Sequence, residues 1–198
     1  SQGETGTADD TRLGYVIGAA EQSMAQWCLY PRPGPTTART MESTTYTLYV
    51  SGPGGRRLTL PVAPVTAVTS IEDDLTLDFD GATSLVSSAD YNIRGQRDIL
   101  LTSTSTHGGW FKSGEESIKV VCTAGYSNID TTEPALFQAA LLLCQHYWVL
   151  RDRIGMTANA NGVENARNYR AERIPEPVKL LLQPYRLLDV SMLGVGID

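Results

Sequence analysis

Cysteine is scarce here and has no pairing pattern. Cys28, Cys122 and Cys144 are the only three, they stand far apart, and none forms a CxxC step. That excludes a disulfide framework and a zinc knuckle, and it fits a reducing compartment. Histidine is scarcer still, with His107 and His146 alone, which leaves few candidates for a general base. No run of eighteen apolar residues occurs, no basic-then-apolar segment opens the chain, and no Asn-x-Ser/Thr acceptor is found. The reading is a soluble protein without membrane association or export signal. Positive charge is also in deficit: 16 Lys and Arg against 22 Asp and Glu give a net charge of -6. That argues against tight wrapping of nucleic acid, whose affinity comes from cations that displace counterions.

What is present is globular. Hydrophobic residues make up 41% and charged ones 19%, too apolar for a disordered chain and too sparsely charged for a coiled coil. Asp9 or Asp10 offers an N-cap ahead of Leu13, Ile17, Ala20, Met24 and Trp27, whose four-three spacing predicts one face of a helix ending near Tyr30-Pro31. After Pro31-Arg32-Pro33-Gly34-Pro35 the period becomes two. Tyr46, Leu48 and Val50 alternate with Thr45, Thr47 and Tyr49, and Leu58 to Leu60 and Val65 to Ile71 read as the next strands of a β meander. Leu75, Leu77 and Phe79, then Tyr91 and Ile93, Ile99 to Thr102, and Ile118 to Thr123 read as further short strands.

From Pro134 the helical period returns through Leu136, Ala140, Leu143, Tyr147, Leu150 and Ile154, and Pro134 suits a first helical turn. Only Gln138, Gln145 and His146 are polar between Leu136 and Leu150, so this helix needs cover on several sides, from the β lobe or a neighbouring subunit. Residues 155–173 form a weakly patterned stretch carrying Arg167, Arg170 and Arg173, a solvated face or a contact for phosphates and acidic partners. Ile174-Pro175 opens a short helix with Val178, Leu181 and Leu182, stopped at Pro184, and an apolar tail follows from Leu187 to Asp198. The predicted fold class is α+β: a helical core of two long helices and a short C-terminal one, with an antiparallel β-rich insert between the long helices. The predicted organisation is residues 1–39 as N-terminal helix and linker, 40–126 as β lobe, 127–186 as helical core and 187–198 as a docking tail.

The search for chemistry returns little. His146 reads as structural within its helix, and His107 as a solvent-facing loop residue with no G-x-S-x-G partner. The acidic run from Glu72 to Asp80 fails the EF-hand register, because Thr76 and Ser87 would occupy the first and twelfth ligand positions, so it reads as a solvated strand face. Gly109 to Gly114 lacks the Gly-Lys-Ser/Thr step of a phosphate cradle and reads as a turn. Trp110 and Phe111 beside Lys112 could stack on a base or a sugar, although aromatics after a double glycine more often cap the rim of a sheet, and Trp110 with Tyr91 could hold a glycan. No catalytic residue, metal ligand or cofactor is assigned, and the chain is expected not to be an enzyme.

Several segments taken in order carry a resemblance: Pro64 to Ile71, Asp90-Tyr91-Asn92-Ile93, Ile118 to Tyr126, Ala139 to Leu143 with Tyr147, and Ile174 to Arg186. Together they resemble the head-to-tail connector, or adaptor, proteins of long-tailed bacteriophages and phage-like particles, over about two thirds of the chain. The β-rich insert and the lack of a helix before the first one depart from the shortest members. The resemblance implies a virion neck protein, assembled in the host bacterial cytoplasm. It would form a ring of copies, usually twelve, between the portal protein and the next head-completion or stopper protein. Double-stranded DNA would pass through the lumen without sequence-specific binding, repelled by carboxylates. On that reading Leu187, Leu188, Val190, Met192, Leu193, Val195 and Ile197 dock on the portal. Leu136, Ala140, Leu143, Tyr147 and Leu150 form the subunit interface, and Arg167, Arg170 and Arg173 meet phosphates or a partner. The alternative is a ligand- or glycan-binding β module anchored by its helices.

Overall fold

The computed structural model describes residues 7–34, 36–79, 85–151 and 173–187. The chain divides into two compact units, a helical one built on Ser1–Cys28 with Asn128–Arg186 and a β unit built on Leu29–Ser127.

The helical unit contains α1 (Thr7–Trp27), α2 (Ile129–Thr132), α3 (Pro134–Arg151) and α4 (Glu176–Leu182), the last followed by a 3-10 turn at Gln183–Tyr185. The first helix begins before the expected Asp9 or Asp10 cap and ends at Trp27. There the Cys28 N–H donates to the Met24 carbonyl (2.9 Å) and Leu29 turns left-handed at φ 66°, a termination that Pro31 reinforces by barring another turn. Of the expected face of α1, Ala20 and Met24 are buried, joined by Ala25 and Cys28, whereas Leu13 and Ile17 are exposed. Helix α3 supplies Leu136, Ala139 and Leu143 to the same unit, and α4 supplies Val178 and Leu182. Polar ties finish the packing. The Tyr147 hydroxyl lies 2.9 Å from both the Ser23 hydroxyl and the Arg173 carbonyl, Tyr185 donates to Glu133 (2.7 Å), and the Arg186 guanidinium sits 5.3 Å over the Trp27 ring.

The β unit holds β1 (Thr44–Pro53), β2 (Arg57–Thr59), β3 (Val65–Asp73), β4 (Tyr91–Arg94), β5 (Asp98–Leu101) and β6 (Ser113–Ala124). They form two antiparallel three-stranded sheets, ordered β1-β6-β3 and β2-β5-β4. The period-two pattern works as alternation requires. Tyr46 and Leu48 point inward while Thr45, Thr47 and Tyr49 stay exposed. Both sheets contribute to one core, which includes Tyr46, Leu58, Ile71, Ile99, Leu101, Phe111, Ile118 and Val120. Each fully buried aliphatic or aromatic side chain of this kind contributes roughly 1.5–3 kcal/mol.

These findings correct the predicted fold class. The chain is not a helical core of two long helices carrying a β insert: the two sheets own a hydrophobic core, and helix and strand occur in roughly even shares. The meander is corrected as well. β1 and β2 belong to different sheets, and the partner of both β1 and β3 is β6, from far along the sequence. Leu75, Leu77 and Phe79 form no strand either. They lie in a turn, with Leu77 and Phe79 at φ 61° and 47°, and Leu75 and Leu77 exposed.

Candidate functional site

The most concentrated polar chemistry lies at the end of β3. Glu72 and Asp73 are buried, not the solvated face that their sequence suggested. Glu72 Oε1 accepts from Lys119 Nζ at 3.0 Å, a cation that also lies 5.8 Å over the Phe79 ring. Asp73 Oδ2 receives His107 Nε2 at 2.7 Å and the Lys112 backbone N–H at 2.9 Å, while Lys112 Nζ donates to the Asp73 carbonyl at 2.8 Å. His107 is thereby corrected too: its side chain is 13% exposed and tied down, not facing solvent. The physical reason is that β3 and β6 pair through Asp73 and Ile118, which brings the end of the acidic run against the loop that leads into β6.

A second carboxylate holds the same loop. Asp90 Oδ2 accepts from the Thr106 hydroxyl (2.6 Å) and backbone N–H (2.9 Å). Those bonds, the hydroxyl's first, keep the Asp90 carboxyl below its ordinary range against the opposing effect of burial. Between these anchors, Gly108 and Gly109 both take φ near +80° (82° and 78°), a sequence that only glycine follows without strain. The loop then sends Phe111 into the core and leaves Trp110 60% exposed. Tyr91, the other half of the proposed ligand pair, packs against the sheet core. The cluster orders a loop.

The cysteines are equally quiet. Burial pushes Cys28 up to about 12, opposed by Arg186, and Cys122 up to about 11, so both remain neutral thiols. Among the described residues no group of three His, Cys, Asp or Glu side chains could hold a metal ion, and no helix is long and apolar enough to cross a membrane.

The helical unit offers a surface instead of a pocket of chemistry. Of the residues assigned to a subunit interface, Leu136 and Leu143 are fully buried within the chain itself, and Ala140, Tyr147 and Leu150 are half-buried. Helix α3 exposes a different set, Phe137, Leu141 and Val149, and α1 exposes Leu13, Tyr15 and Ile17. The sequence reading did not assign Phe137, Leu141 or Val149 to an exposed face, although the near absence of polar residues in α3 signalled a second apolar one. An open groove of about 380 Å³ runs along the unit, lined by Leu142, His146, Val149, Leu150, Pro175 and Pro177 among others. Arg173 donates to Gln26 Oε1 at 3.1 Å. Arg167 and Arg170 lie outside the described residues, as do Leu188, Val190, Met192, Leu193, Val195 and Ile197. Leu187 is half-buried.

With the two sheets and the helical unit in view, comparison with solved structures is informative. The fold is shared with chains of a particle neck. A chain in the neck of the empty gene transfer agent (GTA) particle, computed with C6 symmetry, superposes with a TM-score of 0.59 at 19% identity, over 96% of this chain and 84% of that one. A chain in the neck of the native particle, computed with C12 symmetry, gives 0.56 at 18% identity over 90% and 83%. One in the virion of the native particle gives 0.56 at 21% over 95% and 85%. At these identities the likeness is one of fold. No family model matches the chain, and no curated protein matches it.

Proposed function

We propose that this protein is a structural adaptor subunit of a phage-like neck, and not an enzyme. In this reading copies of the chain form a ring that joins a portal protein to the next neck or stopper component, with double-stranded DNA passing through. The observation that carries it is the superposition of 96% of the chain on a protein from the neck of a GTA particle. The C6 and C12 symmetries with which those necks were computed support a ring, and C12 favours twelve copies. The exposed apolar side chains on α1 and α3 supply surface for contacts between copies, since side chains of this kind are the ones that association buries. The net charge of -6 suits a channel wall that DNA slides past without sticking.

The test is electron microscopy of the protein mixed with its portal, or of the intact particle neck. The expected result is a ring of density beneath the portal that the chain fills; a protein that stays dispersed and never joins the neck overturns the reading. The exposure of Trp110 on an ordered loop keeps a glycan-binding β unit as the competing reading. A dispersed monomer that binds an oligosaccharide, with quenching of Trp110 fluorescence, would favour that reading.

A further inference from the structure

Four strands stand at sheet edges, and three of them are blunted. β2 and β4 are only three and four residues long. β3 carries two register shifts, and its far side is already in use: Val86 N–H donates to the Ile71 carbonyl (2.8 Å), Glu72 bridges Leu85, and Val65 N–H donates to the Gln96 carbonyl (2.7 Å). β1 differs in each respect. It is ten residues long, runs in unbroken register against β6 from Thr44 to Val50, and pairs with no other strand among the described residues. It carries no lysine, has no proline before Pro53, and exposes Thr45, Thr47, Tyr49 and Ser51. A long, regular, neutral edge with unpaired N–H and C=O groups is a template for one more strand.

The chain itself contains a segment patterned to be that strand. Leu188, Val190 and Met192 alternate with Asp189 and Ser191, and after a one-residue slip Leu193, Val195 and Ile197 alternate with Gly194 and Gly196. We infer that residues 188–197 of one copy add as a strand to the open edge of β1 in the next copy of the ring; the inference rests on the ring reading above. Beside β1, Leu188, Val190 and Met192 extend the apolar side made by Tyr46, Leu48 and Val50, and Asp189 and Ser191 fall with Thr45 and Thr47 on the solvent side. The in-phase stretch from Leu188 to Met192 spans roughly 16 Å of the roughly 23 Å from Thr44 to Val50, and a one-residue bulge at Leu193 returns Val195 and Ile197 to the apolar side over the rest. Each copy gives one strand and receives one. Such a heterologous contact propagates around an axis and closes as a ring, where β1-on-β1 pairing would stop at a dimer.

The resemblance aims these same residues at the portal, and one experiment separates the two receptors. Full-length protein and the double variant Val190→Pro/Met192→Pro are each assembled with portal, and the rings are followed by electron microscopy and amide hydrogen exchange. Proline removes ladder N–H groups, and an unchanged far-UV spectrum is required of the variant so that a loss of pairing is not a loss of fold. The expected result is that assembly slows exchange of the 44–50 amides at least tenfold in the wild type, while the variant forms no ring and keeps those amides at the monomer rate. Rings that form with the prolines present, or exchange in β1 that assembly leaves unaltered, overturn this inference and leave the ring reading standing. A variant that still makes rings but detaches from the portal assigns the segment to the portal instead. A wild type that forms no ring removes both readings.

Discussion

His107 Nε2 stands 2.7 Å from Asp73 Oδ2, and the carboxylate that it meets has no exposed side-chain surface. The other oxygen, Asp73 Oδ1, is buried without a hydrogen-bond partner among the described residues, so the acid depends on His107 and the Lys112 N–H. His107→Ala removes the imidazole and leaves a buried carboxylate under-satisfied. The expected cost is about 1–3 kcal/mol in urea unfolding, together with greater mobility of Trp110 in fluorescence anisotropy. A variant as stable as the wild type would mean that water replaces the imidazole without loss.

Acid should weaken the same loop through Asp90. Its folded carboxyl is held below the ordinary range by Thr106, so the folded state binds fewer protons than the unfolded one. That contribution is present above the unfolded value of about 4 and is lost as pH falls through the lower folded value. Thr106→Val should flatten this acid limb in thermal melts taken from pH 6 down to pH 2.

The alkaline limb belongs to other groups. Burial raises Cys28 and Tyr46 to about 12 and Cys122 to about 11, so these groups stay protonated in the fold when the unfolded chain has released its protons. Stability is full below the unfolded thiol value of about 8.5 and declines as pH rises toward the folded values. In the native protein at pH 8, Cys28 and Cys122 should resist alkylation, and mass spectrometry should find both modified after denaturation.

Two leucines on α3 should behave in opposite ways. Leu143 is fully buried and Leu141 is 55% exposed. Leu143→Ala should cost about 2–5 kcal/mol in thermal or urea unfolding. Leu141→Asp should leave monomer stability within about 0.5 kcal/mol and impair assembly with the portal, as read by native mass spectrometry. Loss of the monomer fold in Leu141→Asp would take that residue out of the interface.

Gly125 follows the end of β6 at φ 111°, where a side chain would crowd Glu42 C at 2.7 Å and Met41 O at 2.8 Å. Gly125→Ala combines backbone strain with a clash against main chain that cannot rotate away. A loss of about 2 kcal/mol or more is expected in denaturant titration.

The local elements were legible in the sequence wherever a periodic signal was long. Pro134 marks the start of α3, and the alternation of Tyr46, Leu48 and Val50 marks the inner side of β1. The pairing of strands was not legible. Nothing in the residues of β1 states that its neighbour is β6 and not β2, because the pleat repeats alike in every strand, and the inferred meander followed chain order. The polar cluster was hidden for a related reason. Glu72, Asp73 and Asp74 look solvated as a run, and only the β3–β6 ladder brings Lys112, Lys119 and His107 to meet them. The exposed side of α3 was half legible: the helix was evidently too apolar for one stripe, yet periodicity could not say which leucines stay outside.

The position of β6 between β1 and β3 also constrains how the chain is made. Neither outer strand has a sheet partner until residues 113–124 have been synthesised, and α1 waits longer still for α3. The topology therefore has high contact order, which slows folding, and on the ribosome β1 and β3 stay unpaired until β6 has been made. Productive folding of this protein should depend on translation speed and on chaperones that shield such strands, and expression trials at low temperature should recover more of it than fast induction does.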